Sequence, residues 1–161
     1  MGARRYEFVP LTAADLALID RWMAEPHVAE WWPDGSSEIA QILDERAIAD
    51  RDGELPETDP YIVHLDGRPI AYLQCWRDPS GTRGIDQFIG DPDLLGQGHG
   101  SAFIREFCDR LFAEGVPAVT LDPDPTNARA VRAYLKAGFR PIRPMDTKWG
   151  HVLLMQRDNA P

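Results

Sequence analysis

The sequence predicts a mixed α/β fold, with a mostly antiparallel sheet of about seven strands and four helices, and three observations carry that prediction. First, two apolar-rich runs flank an Asp66-Gly67 pair. That dipeptide tolerates the positive φ of a two-residue turn and signals a hairpin. Second, the run Arg83–Ile89 leads through a loop with glycine at 96, 98 and 100 into a segment of helical periodicity. Third, Pro123 and Pro125 end a short strand-like run and precede another helical segment that closes on Gly138.

Taken in order, Arg5–Val9 alternates as a first strand, stopped by Pro10. Thr12 and Asp15 suit a helix N-terminus, and Leu16, Ile19, Trp22 and Met23 mark one face of a helix to about Glu25. The stretch Pro26–Gly35 holds Trp31 and Trp32 side by side, closed by Pro-Asp-Gly. Two readings stay open for this pair: one ring plugging the core with the other on the surface, or an aromatic wall in a ligand cleft. Ser36 or Ser37 can cap a second helix to about Arg51, with Ile39, Ile42, Leu43 and Ile48 at helical spacing. A polar loop, Asp52–Asp59, precedes the hairpin Tyr61–Leu65 and Pro69–Trp76, and a turn at Asp78–Gly81 leads to the strand Arg83–Ile89. The next helix carries Phe103, Ile104, Phe107, Cys108, Leu111 and Phe112 and ends near Gly115. Val116–Leu121 follows as a strand, then a helix started by Thr126 or Asn127 with Val131, Tyr134 and Leu135 on one face. Phe139–Ile142 and His151–Gln156 read as the last strands, joined by a loop holding Pro144, Asp146, Lys148 and Trp149.

The 161 residues and 43% hydrophobic content fit one domain, 1–161, with one sizeable core. No apolar run approaches the roughly 20 residues that span a bilayer, and the start MGARRYEFVP lacks a signal-peptide core. These features point to a cytoplasmic protein without a membrane partner. Cys75 and Cys108 have neither zinc-site nor secreted-disulfide spacing and read as reduced, buried thiols, so no metal is expected. With 17 basic and 26 acidic residues the net charge is −9, which disfavours nucleic acid and suits a cationic partner, although acidity also serves solubility.

The glycine loop has a physical meaning of its own. The first N–H groups of a helix have no intrahelical partner and sit at the positive end of its dipole, which stabilises a phosphate there. Gly96, Gly98 and Gly100 would let that phosphate approach the backbone without meeting a Cβ. Asp86, flanked by Ile85, Phe88 and Ile89, would be poorly solvated and so calls for a cationic partner.

The glycine loop after the fourth strand, followed by an Asn-led helix with Tyr-x-Lys-x-Gly-Phe, resembles the GCN5-related N-acetyltransferase (GNAT) superfamily over nearly the whole chain. The segments HVAEWW, PYIVHLDGRPIAYLQ, RGIDQFIG, LLGQGHGSAFI, LDPDPTNARAVRAYLKAGF and VLLMQRD are similar to the aminoglycoside 6′-N-acetyltransferases of the Ib-like type. The resemblance implies a sheet splayed between its fourth and fifth strands. It implies that acetyl-CoA is the co-substrate, with its pyrophosphate on the N–H groups of Gln97, Gly98, His99, Gly100 and Ser101. Pantetheine would pair with backbone around Phe88 and Ile89. Further cofactor contacts carried over on the same grounds are Gln87, Leu95, Gly96, Asn127, Ala130 and Tyr134. A backbone N–H beside the thioester would stabilise the oxygen that gains charge.

Asp86, the acid of the GIDQ segment, is implied as the group that holds the amine and takes or relays its proton. Tyr134 matches the superfamily tyrosine near the sulphur and would protonate the departing thiolate, and it equally fits a core position between Val131 and Leu135. Trp31, Trp32, Asp34, Tyr72, Asp86, Asp122 and Trp149 are implied as contacts to a cationic small-molecule amine. Asn127 serves equally well as a helix cap.

Three departures stand out. Leu95 occupies the first position of the acetyl-CoA loop, usually Gln or Arg in the family; the Arg77–Thr82 link is short where resistance enzymes carry a longer acidic and aromatic insertion; and Lys148 and Trp149 occupy a substrate-side loop. Besides aminoglycoside acetylation, three readings remain at this stage: an acyltransferase of siderophore, hydroxylysine or polyamine type, a CoA-binding module without turnover, or an acetyltransferase of protein N-termini or lysines. The siderophore branch tends to place a histidine where this chain has Asp86. A monomer or a homodimer fits the sequence equally.

Overall fold

A computed structural model describes residues 6–160. The element order is β1 Tyr6–Pro10, a single 3-10 turn Ala13–Asp15, α1 Leu16–Met23, α2 Pro26–Ala29, α3 Gly35–Asp52, β2 Thr58–Leu65, β3 Arg68–Arg77 and β4 Arg83–Ile89. A second 3-10 turn, Pro92–Leu94, leads to α4 His99–Ala113, β5 Ala118–Leu121, α5 Ala128–Lys136, β6 Arg140–Thr147 and β7 Gly150–Asp158. The strands form one seven-stranded sheet in the order β1-β2-β3-β4-β5-β7-β6. β4 and β5 run parallel while β5–β7 and β6–β7 are antiparallel, which is the mixed sheet expected from the sequence. No helix among the described residues is long and apolar enough to cross a membrane.

The chain divides into two compact units. The first comprises residues through Trp76 together with Gln87–Gln97. Its hairpin turns as the Asp-Gly pair dictates, with φ of 51° at Asp66 and 82° at Gly67, and Tyr61 lies opposite Leu73. At its N-terminus the Thr12 backbone N–H donates to the Asp15 carboxylate at 2.9 Å, which fixes the entry to α1. α1 then turns Ile19 and Trp22 inward, where they join Leu11, Val28, Ile39, Ile62, Tyr72 and Phe88 in one core cluster. α3 ends on Gly53 at φ 73°, a left-handed cap that glycine adopts without Cβ strain.

The second unit comprises Arg77–Asp86 and the chain from Gly98 onward. α4 buries Phe103, Ile104, Phe107, Cys108 and Leu111, the apolar face read from the sequence. Arg105 donates from α4 to the Lys136 carbonyl at the end of α5. β6 carries Pro141 and Pro144 and has a single sheet neighbour, which suits residues that cannot donate to a ladder.

Several expectations need correction. Arg5, placed in the first strand, lies outside the described residues, and Pro10 is the strand's last residue rather than its stop. α3 starts at Gly35 with Asp34 at the cap position, not Ser36 or Ser37, and no side chain caps it. Ile48 on α3 and Leu135 on α5 are 50% and 48% exposed: helical spacing continued past the part of each helix that has something to pack against. The Pro26–Gly35 stretch contains a fifth, four-residue helix, started by Pro26 at its first turn. The loop expected between the last strands is a strand: β6 runs to Thr147, and only Lys148 and Trp149 remain before β7, where Thr147 Oγ1 donates to the Gly150 carbonyl at 2.9 Å. β2 starts three residues early, because Thr58, Asp59 and Pro60 pair with Trp76, Cys75 and Gln74.

Candidate active site

The second unit brings two acids together through strand register. β4 and β5 pair in parallel with Arg83 opposite Val119 and Gly84 opposite Thr120. Asp122 directly follows the last residue of β5, and continuing that register by two residues sets it level with Asp86. Both side chains are half-buried, and the two carboxyl groups share a hydrogen bond. Burial pushes the Asp122 carboxyl up from its ordinary value of 3.8, while a backbone hydrogen bond and the bond to Asp86 pull the other way. Two carboxylates this close cannot both stay ionised without a proton or a cation between them. An ammonium group fits that requirement.

Just beyond, Asp124 behaves differently. It is exposed, and its Oδ1 accepts from the Thr126 N–H at 2.9 Å and the Thr126 hydroxyl at 2.7 Å, which lowers its pKa. Asn127 caps α5, its Oδ1 accepting from the Ala130 N–H at 3.3 Å. Tyr134 lies half-buried on the same helix.

α4 opens on Gly98 at φ 84°, a conformation that side chains rarely adopt, with open space where a Cβ would be. The first intrahelical bond runs from Ala102 N–H to the Gly98 carbonyl at 3.2 Å, so His99, Gly100 and Ser101 supply the first-turn N–H groups of the helix. His99 is buried, 4% exposed. The Ser101 hydroxyl donates to the Gly98 carbonyl at 3.2 Å. Gly100 does not share the left-handed geometry of Gly96 and Gly98 and lies inside the helix.

In the first unit, Leu95, Gly96 and Gln97 follow the 3-10 turn. Gly96 sits at φ 74°, and the Gln97 side-chain amide donates to the Asp93 carbonyl at 2.6 Å. Trp32 stands edge-on to Phe88 and to Tyr72, with ring centroids 5.2 and 6.0 Å away. Tyr72 is fully buried and its hydroxyl donates to Gln74 Oε1 at 2.7 Å. Trp31 is half-buried, Asp34 is exposed, Gln87 and Phe88 are buried, and Ile89 ends β4. In the second unit, Trp149 is 77% exposed at the tip of the last hairpin, with the Lys148 ammonium 4.4 Å from its ring centre.

Two features escaped sequence reading. His27 Nε2 lies 2.8 Å from the Ile89 carbonyl, a contact between residues 62 positions apart. A Cβ on Gly90 would fall within the Trp22 indole. The Asp86–Asp122 contact was legible only as two separate acids, since parallel register between distant strands has no local signal.

Known proteins share this fold. Residues 12–147 match the model of the acetyltransferase (GNAT) domain family. An aminoglycoside N(6′)-acetyltransferase type 1 from Klebsiella pneumoniae is 32% identical over 160 residues, covering 90% of this chain and 79% of the relative. Among solved structures, an aminoglycoside N(6′)-acetyltransferase from Legionella pneumophila superposes with a TM-score of 0.82 at 27% identity, covering 99% of this chain and 95% of that one. The aminoglycoside acetyltransferase AAC(6′)-Ib in complex with coenzyme A and kanamycin does so with a TM-score of 0.80 at 28% identity, covering 96% and 95%.

Proposed function

This chain belongs to the GNAT acetyltransferase family, and from that premise we propose that it moves the acetyl group of acetyl-CoA onto a primary amine of a cationic small molecule, the 6′-amine of an aminoglycoside. The observation that carries the choice of acceptor is the Asp86–Asp122 carboxyl pair. Its demand for a cation is what a polyamine sugar meets. The relatives named for aminoglycosides, and the neighbour holding both coenzyme A and kanamycin, support the same acceptor class. We place the reaction in the cytoplasm, the compartment expected from the sequence.

Acetyl-CoA supplies an activated acyl group as a thioester. The residues present fit it: Gly98 opens a helix whose first-turn N–H groups, from His99 to Ser101, are suited to a diphosphate, and no Cβ stands in front of them at Gly98. Asp86 and Asp122 hold the ammonium form of the acceptor, and Asp86 takes or relays its proton so that the free amine can attack. Tyr134 returns a proton to the departing sulphur. Asn127 orders the start of α5 and with it the helix that carries Tyr134. The acyltransferase branch for hydroxylated amines has less support, because Asp86 stands where that branch tends to place a histidine.

The test is release of free thiol from acetyl-CoA in the presence of kanamycin, tobramycin, spermidine or N-hydroxylysine, repeated with Asp86→Asn. Turnover with the aminoglycosides and its loss in the variant are expected. Turnover confined to spermidine or N-hydroxylysine would overturn the acceptor, and full activity in Asp86→Asn would overturn the proton assignment.

A further inference from the structure

We propose that His27 is a positioning residue for the acyl-carrying arm of acetyl-CoA, acting through the backbone at the end of β4; the inference rests on the acetyltransferase reading above. His27 is half-buried on α2, and its Nε2 lies 2.8 Å from the carbonyl oxygen of Ile89. A carbonyl only accepts, so Nε2 carries the hydrogen and donates.

The direction of that carbonyl follows from the peptide plane. No described peptide is cis, so the Ile89 C=O and the Gly90 N–H point opposite ways. The Gly90 N–H donates to the Ile70 carbonyl on β3 at 2.9 Å. The Ile89 carbonyl therefore points to the edge of β4 that faces away from β3. A strand residue's N–H and C=O share one side, so the Ile89 N–H points to that edge as well.

A strand edge offers alternating donors and acceptors, and a linear amide-bearing molecule can add to it as another strand would. His27 changes what this edge presents at its last residue. It occupies the Ile89 carbonyl with a side-chain donor and leaves the Ile89 N–H direction to an incoming carbonyl. It also holds the Ile89–Gly90 peptide in place. That peptide is gripped from three elements: His27 of α2 on the carbonyl, Ile70 of β3 on the N–H, and Trp22 of α1 against the Gly90 Cα. Removing His27 frees one of these grips, and the Ile89–Gly90 peptide that orients the edge N–H loses part of its hold. The cost falls on capture of acetyl-CoA.

The experiment compares wild type, His27→Ala and His27→Gln, in which the amide of Gln can donate to the same carbonyl. Coenzyme A affinity is measured by calorimetry, which needs no acceptor and so tests the inference even if the choice of amine proves wrong. Steady-state kinetics and a thermal melt accompany it. His27→Ala is expected to weaken coenzyme A binding and raise KM for acetyl-CoA by about tenfold, the effect of one lost partly buried hydrogen bond. KM for the amine and kcat should stay within about twofold, and His27→Gln should recover most of the loss. Unchanged coenzyme A affinity in His27→Ala would overturn the proposal. So would a loss that His27→Gln fails to recover, or one that follows the melting temperature across the three proteins.

Discussion

Gly90→Ala adds one methyl group and is expected to be among the more damaging single substitutions in this protein. Gly90 is not among the residues with positive φ, so its backbone would accept alanine; space is the obstacle. A Cβ built there lies under 3.0 Å from Cγ, Cδ2 and Cε2 of Trp22, a spacing that real Cβ atoms essentially never show. The ring cannot step back cheaply, because Trp22 is buried and packs edge-on to Phe88 with centroids 6.1 Å apart. Overpacking of this kind costs about 1–3 kcal/mol, and a clash with a rigid indole belongs at the upper end, about 3 kcal/mol. For a chain of this length each kcal/mol moves Tm by about 2–4 °C, so the melt should fall by about 6–12 °C. Urea unfolding followed by tryptophan fluorescence gives the free energy directly. Adding Trp22→Leu should recover part of the loss, since the double change couples through one contact. A Gly90→Ala protein within 0.5 kcal/mol of wild type would refute the reasoning.

Two further predictions concern the second unit. Asp122 has a folded pKa above 3.8, so the fold holds that proton more tightly than the unfolded chain does. Stability contributed there should fall as pH rises from 3.8 through the raised folded value and then level off; Asp122→Asn should remove this decline in pH-dependent melts while raising KM for the amine by about 10–100-fold, the worth of one hydrogen bond to a charged group. Asn127→Ala removes the side-chain cap from Ala130 N–H on the nine-residue helix α5, which should cost about 1 kcal/mol by urea titration.

Much of the fold was legible because its punctuation is local. Asp66-Gly67 needs only its own dihedral angles to make a hairpin, Gly98 announces a helix start, and the Pro123–Asn127 run forbids a helix until Asn127 can cap one. Where local chemistry is ambiguous, tertiary context decided. Pro144 suggested loop, yet an edge strand accepts it. Ile48 and Leu135 fit a helical stripe that the surrounding structure does not cover. At the site, the residue types were legible and their pairings were not. Asp86 meets Asp122 because two strands run parallel in one register, and His27 meets Ile89 because a four-residue helix intervenes where a loop was expected.

β4 places narrow limits on how this enzyme can vary. Asp86 and Phe88 are two residues apart and share a face of the strand, one carrying the acid and the other packing against Tyr72 and Trp32. Inserting or deleting a single residue between Asp86 and Phe88 would turn one of them to the opposite face while leaving every amino acid otherwise intact. The strand can change composition but not length. The link that follows β3 has no such restriction: Asp78 to Thr82 close on themselves, the Gly81 N–H donating to the Asp78 carbonyl at 2.9 Å and the Asp78 N–H to that of Thr82 at 3.1 Å. Lengthening is free to occur there while the frame of β4 is kept.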